Sequence, residues 1–395
     1  MHILVIPSEQ YVLPERPLAG IFQKTQVDAL HRAGQVVSVI APKGRSLRTL
    51  PSGFQRLSRG IAHSCEEGIR VARNLNWSLV PDRVPYLAVN AYVRTGRRLY
   101  EDYVARFGEP DILHAHGALY AGSLAAYLQT RYHVPSVLTE HSSAFLIGEL
   151  QPWQRRIARA AWHQADSCIV VSAALGRGVD RALMLAPGLW RVVPNCLDRI
   201  FEDERPPQLR QPSGKPLALL TIGALVPIKN HLSLLEAFAS LDPQDFASLR
   251  IGGDGPLREA LEHHATSLGI TDRVRLLGAL SPTQVRSEML QCDMFVLPSH
   301  AETFGVVLIE ALACGRPVVA TPCGGPTDIV NPTDGVLARS PSSPDLATAL
   351  SEARRRFGEF EPDAIRARCL ARYGRIAVAH ELETVYEEIR ARRCT

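Results

Sequence analysis

Residues 293–325 read DMFVLPSHAETFGVVLIEALACGRPVVATPCGG, and the fold follows from how this stretch divides. The apolar run Met294–Leu297 stops at Pro298, as a buried strand does. A helix is predicted from near Thr303 to Cys314, because Phe304, Val306, Val307, Leu308, Ile309, Ala311, Leu312 and Ala313 leave no polar face. A helix that is apolar all round is buried. Its only acid is Glu310, and a buried carboxylate needs a polar partner or a shifted pKa. That partner is either structural, such as a backbone amide or an arginine, or it is a pair of vicinal hydroxyls such as a ribose offers. Glu302 stands just before the helix, where Phe304, Gly305 and Val306 present free backbone N–H groups. A helix start with a glycine binds anions, and a diphosphate fits it.

The same strand–helix alternation runs outward in both directions. HILVIP, VVSVIAP, DILHAHG, SVLTEH, SCIVVS and RVVPN are strand candidates in the first half. They are separated by amphipathic segments such as Phe22–Arg32 and Leu119–Tyr132. Near-continuous Val/Ile/Leu strands between helices mean a parallel sheet covered on both faces, that is, a doubly wound domain. Asp203–Pro216, DERPPQLRQPSGKP, reads as a linker. Alternation then restarts with LALLTIGAL, SLRIGGDG, VRLLGAL, MFVLPS and PVVATPC, with helices near 231–240, 256–268, 283–291 and 304–314. The expected fold is therefore α/β, with two tandem doubly wound Rossmann-like domains, 1–202 and 217–375. A last helical segment, 376–395, is expected to pack back on the first. In open α/β sheets ligands bind beyond the carboxyl ends of strands. Gly20, His116, Lys229, Gly252–Gly255, Glu302 and Gly324–Gly325 all follow strand candidates, which points to a cleft between the domains.

Composition sets limits. At 395 residues the chain exceeds the usual size of one core. A net charge of +4 is too small to argue for nucleic acid. Residues 1–205 carry 24 Lys/Arg against 18 Asp/Glu, and residues 206–395 carry 20 against 22. A basic first half suits an anionic membrane or an acidic acceptor; scattered solvated arginines read equally well. Eight cysteines show neither a CxxC pair nor metal-type spacing with histidine, so buried reduced thiols in a cytosolic protein are expected. MHILVIPS lacks the features of a signal peptide, and no apolar run approaches the ~20 residues of a membrane span. The expected location is cytoplasmic, with any membrane contact peripheral. Trp153–Trp162, with Arg155, Arg156 and Arg159 between two tryptophans, is either an interfacial patch for a lipid-linked acceptor or a solvated helix.

The spacing Glu302–x7–Glu310 in ETFGVVLIEA resembles the signature of retaining glycosyltransferases of family 4, whose fold, termed GT-B, has two facing Rossmann-like domains. GALVPIKNH (223–231) resembles that family's phosphate-binding lysine loop. IGGDGP (251–256), VRLLGAL (274–280) and GRPVVATPCGG (315–325) are similar to its next blocks. PLAGIF (17–22), HAHG (114–117), LTEHS (138–142) and VVPNCLD (192–198) match its N-terminal pattern. The resemblance implies that Glu310 binds the donor ribose, while Glu302 and the backbone of Phe304, Gly305 and Val306 hold the transferred sugar and diphosphate. Lys229 would pair with the diphosphate, and Gly20 would admit the first-domain loop. Gly253 and the loop Gly278–Leu280 would line the donor site, the latter receiving the base. His116 would lie beside the reacting sugar, with His141 in a second substrate position. Ala224 stands where the family often has an arginine, so Lys229 carries more of the phosphate neutralisation.

Breaking a glycosyl–phosphate bond leaves negative charge on phosphate, which fixed charges and dipoles stabilise best. No two aspartates are separated by one residue, so the metal-holding Asp-x-Asp motif is absent and a metal-independent hexosyltransferase without cofactor is expected. Its donor would be a UDP- or GDP-sugar, and its acceptor a saccharide or lipid-linked saccharide in polysaccharide biosynthesis. His116, Glu302 and Lys229 are the catalytic candidates, with Glu302 the competing nucleophile. Against these readings, a lone histidine is usually structural, Lys229 could be an exposed lysine before a helix capped by Asn230, and the IGGDGP glycines could be turn formers. A nucleotide-sugar epimerase and a non-catalytic nucleotide-sugar-binding subunit remain as alternatives on the same architecture.

Overall fold

The computed structural model describes residues 1–9, 11, 20–46, 60–78, 84, 86–202 and 215–394. Most of the expected linker, residues 203–214, lies outside them, as do Pro17–Ala19 of the PLAGIF segment. The chain forms two compact units, Met1–Cys196 with Val378–Thr395, and Leu197–Ala377.

The strands of the first unit are β1 (His2–Pro7), β2 (Val36–Ala41), β3 (Arg45–Ser46), β4 (Ile61–Glu66), β5 (Ile69–Asn74), β6 (Trp77–Ser78), β7 (Ile112–His116), β8 (Ser136–Glu140), β9 (Ser167–Val170) and β10 (Arg191–Val192). Eight of them form one sheet in the order β10-β9-β8-β7-β1-β2-β5-β4; β3 and β6 pair separately. All ladders of the large sheet are parallel except the β4–β5 hairpin. The order reverses between β1 and β7, whose carboxyl ends therefore flank a ready-made crevice. Ile112–His116 is buried throughout, histidines included.

The second unit contains β11 (Leu217–Ile222), β12 (Phe246–Gly252), β13 (Val274–Gly278), β14 (Met294–Leu297), β15 (Val318–Ala320) and β16 (Gly335–Leu337). They run parallel in the order β13-β12-β11-β14-β15-β16. This is the strand order of dinucleotide-binding sheets, with its switch point between β11 and β14. The expected helices appear as His231–Ala239, Arg258–Ser267, Pro282–Gln291 and Val306–Ala313. The third begins where SPTQ places a capping box: Gln284 N donates to Ser281 Oγ at 3.3 Å, and Ser281 N to Gln284 Oε1 at 2.8 Å.

The last helix, Arg375–Cys394, returns to the first unit. Val378, Ala379, Leu382, Val385, Tyr386 and Ile389 recur at helical spacing and join the core of Ile3, Val5, Val27, Leu30 and Val39. Cysteines 168, 196, 292, 314 and 369 are buried and outside any disulfide among the described residues; Cys65 on the edge strand β4 is exposed. Trp162 retains 3% of its surface and belongs to the core. It cannot serve as the second anchor of an interfacial tryptophan pair, because the helix Pro152–Gln164 turns it inward while Arg155, Arg156 and Arg159 face out.

Candidate functional site

In the second unit the loops after β11 and β14 meet at the switch point. The 3-10 turn Pro227–Lys229 follows β11 and delivers Lys229, whose Nζ lies 2.6 Å from Glu302 Oε1. Ser299, fully buried just past β14, donates its hydroxyl to the same oxygen at 2.8 Å. Ser299 is itself held, since Thr321 Oγ1 donates to its carbonyl at 2.5 Å. The ion pair is half sheltered, with side-chain exposures of 26% for Lys229 and 12% for Glu302. Asn230 occupies the expected N-cap position with φ 57° but does not cap the helix. Its amide donates instead to the carbonyls of Pro298 and Pro341 at 2.9 and 2.8 Å, tying the lysine turn to the end of β14.

The helix that carries Glu310 starts at Val306, three residues later than the apolar pattern predicts. Gly305 at φ 97° interrupts the backbone there; only glycine adopts this conformation without strain. Among the described residues the N–H groups of Phe304, Gly305 and Val306 meet no acceptor, so this end keeps the unsatisfied donors that bind anions elsewhere. The loop Thr321–Gly325 braces it: Glu302 N donates to the Cys323 carbonyl at 2.8 Å and Gly325 N to the Glu302 carbonyl at 2.9 Å. A Cβ on Gly325 would stand 2.3 Å from Phe304 Cα.

Glu310 has neither the amide nor the arginine that a structural role requires; no hydrogen bond reaches its carboxyl among the described residues. The residue is partly accessible, yet its carboxyl sits deep enough that burial, aided by the nearby Asp198 charge, raises its pKa to about 8. Its helix is fixed from behind by Arg366, whose guanidinium donates to the carbonyls of Phe201, Glu202 and Ala313.

Gly253 and Gly278 bond to each other, Gly253 N donating to the Gly278 carbonyl at 2.8 Å. Leu280 packs close over Gly252, its Cδ1 lying 2.7 Å from where a Cβ there would be. Gly253 is required by geometry: at φ 131°, a Cβ would fall 1.9 Å from the Gly223 carbonyl oxygen. Gly253→Ala is expected to destabilise the protein by about 2–4 kcal/mol, read as a lowered urea midpoint.

In the first unit, His116 ends β7 and Ser8 follows β1 across the switch point, with Ser8 N donating to the His116 carbonyl at 3.1 Å. His116 Nδ1 and His141 Nε2 are 2.9 Å apart and share one proton. His116 is 1% exposed, and its Nε2 is buried without a partner among the described residues. Burial keeps both rings neutral, His116 well below its ordinary pKa and His141 at about 4. Glu140 organises the two loops, accepting from the N–H groups of Ala118, His141 and Ser142 at 2.8 Å each; burial nevertheless raises its pKa. Gly20 has φ 72° and opens the helix Ile21–Arg32. Ser299 belongs to these sites but carries no signal in sequence beyond its proximity to a motif, while Asn230, Glu140 and Gly325 lie inside motifs that do not reveal their supporting roles.

Two parallel-sheet Rossmann-like units, each with polar groups gathered at its switch point, define a GT-B type fold. Residues 23–199 match the family model described as glycosyltransferase family 4, and residues 202–355 that of glycosyl transferases group 1. TuaC of Bacillus subtilis, a glycosyltransferase whose name refers to teichuronic acid biosynthesis, is 29% identical over 362 residues, covering 89% of this chain and 88% of the relative. Among solved structures, sucrose-phosphate synthase from Thermosynechococcus elongatus superimposes with a TM-score of 0.76 at 21% identity, over 99% of this chain and 100% of the other. Anabaena Alr3699/HepE in complex with UDP gives 0.70 at 20% identity, over 98% and 100%. The chain belongs to the GT-B glycosyltransferases of the group 1/family 4 type.

Proposed function

We propose that this glycosyltransferase moves a hexose, with retention of configuration and without a metal, from a UDP-sugar to a saccharide or lipid-linked saccharide acceptor. The observation that carries the reading is the convergence of Lys229, Glu302 and the unfilled N–H groups at Gly305 on one switch point, with the unpartnered Glu310 one turn further along the same helix. UDP is the ligand named for Alr3699/HepE, which supports uracil over guanine; a GDP-sugar is the competing donor.

In the donor-free protein Lys229 and Glu302 neutralise each other. An arriving diphosphate competes for the ammonium and leaves Glu302, still held by Ser299, free to accept hydrogen bonds from sugar hydroxyls. Lys229 and the helix terminus then face the phosphate on which charge develops, supplying what a metal provides in other transferases. Ala224 adds nothing to this charge, so Lys229 bears most of it. No carboxylate need attack the sugar. The acceptor approaches on the leaving-group side and the departing phosphate takes its proton, while neutral His116 hydrogen-bonds through Nε2 rather than forming a covalent bond. The exposed face of Arg155, Arg156 and Arg159, without a carboxylate partner among the described residues, supports a phosphate-bearing acceptor or an anionic cytoplasmic membrane face. No helix among the described residues is long and apolar enough to cross a membrane.

The stereochemistry is open to direct observation. With UDP-α-glucose, EDTA and no acceptor, slow hydrolysis followed by proton NMR is expected to yield α-glucose first, before mutarotation. First appearance of β-glucose would rule out retention, and turnover only after adding a divalent metal would rule out metal independence.

A further inference from the structure

The proposed reaction uses His116 but leaves a second buried histidine of the same strand without a role. His114 and His116, two residues apart on β7, point to the same face of the sheet and are 0% and 1% exposed. Burying an imidazole is costly unless its nitrogens are bonded. Those of His114 both are: Nδ1 lies 2.7 Å from the Tyr386 hydroxyl, and Nε2 lies 2.7 Å from Thr139 Oγ1. The ring of His114 rests against that of His116, with centroids 4.3 Å apart and planes at 31°. On its other flank His116 stacks on His141 at 5.2 Å and 24°, in addition to their hydrogen bond. His116 is thus held from two sides, with only Nε2 left over.

Tyr386 sits on the C-terminal helix with no exposed surface. Phenylalanine would fill the same core volume, so packing alone gives no reason for the hydroxyl, whose hydrogen bond among the described residues is to His114. We infer that Tyr386 and His114 are positioning residues for His116, so that the helix returning from the end of the chain sets the angle of the imidazole used in transfer. The inference rests on the transferase reading of His116. Neither residue touches substrate; Tyr386 acts through His114, and His114 through ring contact.

The test uses the full chain with 15N-labelled imidazoles, resonances being assigned with His114→Gln and His116→Gln. In Tyr386→Phe the ring-nitrogen signals of both His114 and His116 are expected to move. Turnover of the UDP-sugar falls on the order of ten-fold in kcat with KM unchanged, less than the ~100-fold that a full ångström of misplacement costs. Thr139→Val, which removes the other partner of His114, moves the same two signals. Tyr100→Phe is the control, because Tyr100 is equally buried in this unit but its hydroxyl has no partner among the described residues; it leaves signals and kcat unchanged. A His116 signal that stays in place in Tyr386→Phe, or an unchanged kcat, overturns the inference. A wild-type rate in His116→Gln overturns instead the role given to His116 in transfer, whatever the resonances do.

Discussion

Glu310→Ala is expected to show none of the thermal stabilisation that UDP or a UDP-sugar should confer on the wild-type protein, while unfolding cooperatively in their absence. The reason is the unusual state of this carboxyl. It has no hydrogen-bond partner among the described residues, and burial with the Asp198 charge raises its pKa to about 8, so in the donor-free protein it is protonated at neutral pH. Ribose hydroxyls would donate to the carboxylate, and donor binding would therefore release a proton. Nucleotide affinity should accordingly rise with pH, by up to about ten-fold per unit below 8 and level off above it. Calorimetry in buffers of different ionisation enthalpy measures that release. Stability has the opposite sign. An acid whose pKa is raised on folding does not penalise the native state below its unfolded value of 4.5; stability is lost as pH rises from there through about 8. Glu310→Gln should remove this loss, so its stability relative to wild type grows across the same window.

Lys229→Ala is expected to lower kcat/KM on the order of 10²–10³-fold, the usual effect of deleting one group that stabilises transition-state charge. The effect should be at the upper end, because Ala224 offers no second cation in the loop. Glu302 is only 12% exposed, and removing its cationic partner leaves the carboxylate with Ser299 alone; a moderate loss of stability accompanies the loss of rate. Glu302→Gln separates the two effects. On the proposed reading it frees Lys229 for a diphosphate but replaces the charged acceptor for sugar hydroxyls, so nucleotide binding should hold or tighten while kcat falls. Steady-state kinetics beside UDP binding isotherms for both variants distinguish a ground-state from a transition-state role.

Much of the candidate donor site can be read in sequence because its residues are local. Glu302 and Glu310 lie eight residues apart around one glycine, and the apolar helix between them makes a buried acid conspicuous. The doubly wound parallel character of both sheets, too, follows from strands and helices in alternation; their strand orders and the β4–β5 hairpin do not. The supporting groups were not legible, because they act across the fold. Asn230 reads as a cap and is a tether between two carbonyls. Ser299 reads as an ordinary polar residue after a strand and holds Glu302. Trp162 reads as half of an aromatic pair, yet the helix rotates it into the core. The start of the Glu310 helix shifts to Val306 because the Gly305 torsion outweighs the apolar pattern. Tyr386 lies 270 residues from His116, and no local pattern links them.

The most direct test of the donor site is binding of a panel of nucleotide diphosphates and their sugars to wild type and Glu310→Ala, with EDTA present, followed by thermal denaturation. The account predicts a clear upward shift with UDP and one UDP-sugar that survives EDTA and is absent in Glu310→Ala. No shift with any nucleotide, or a shift undiminished in Glu310→Ala, would contradict it.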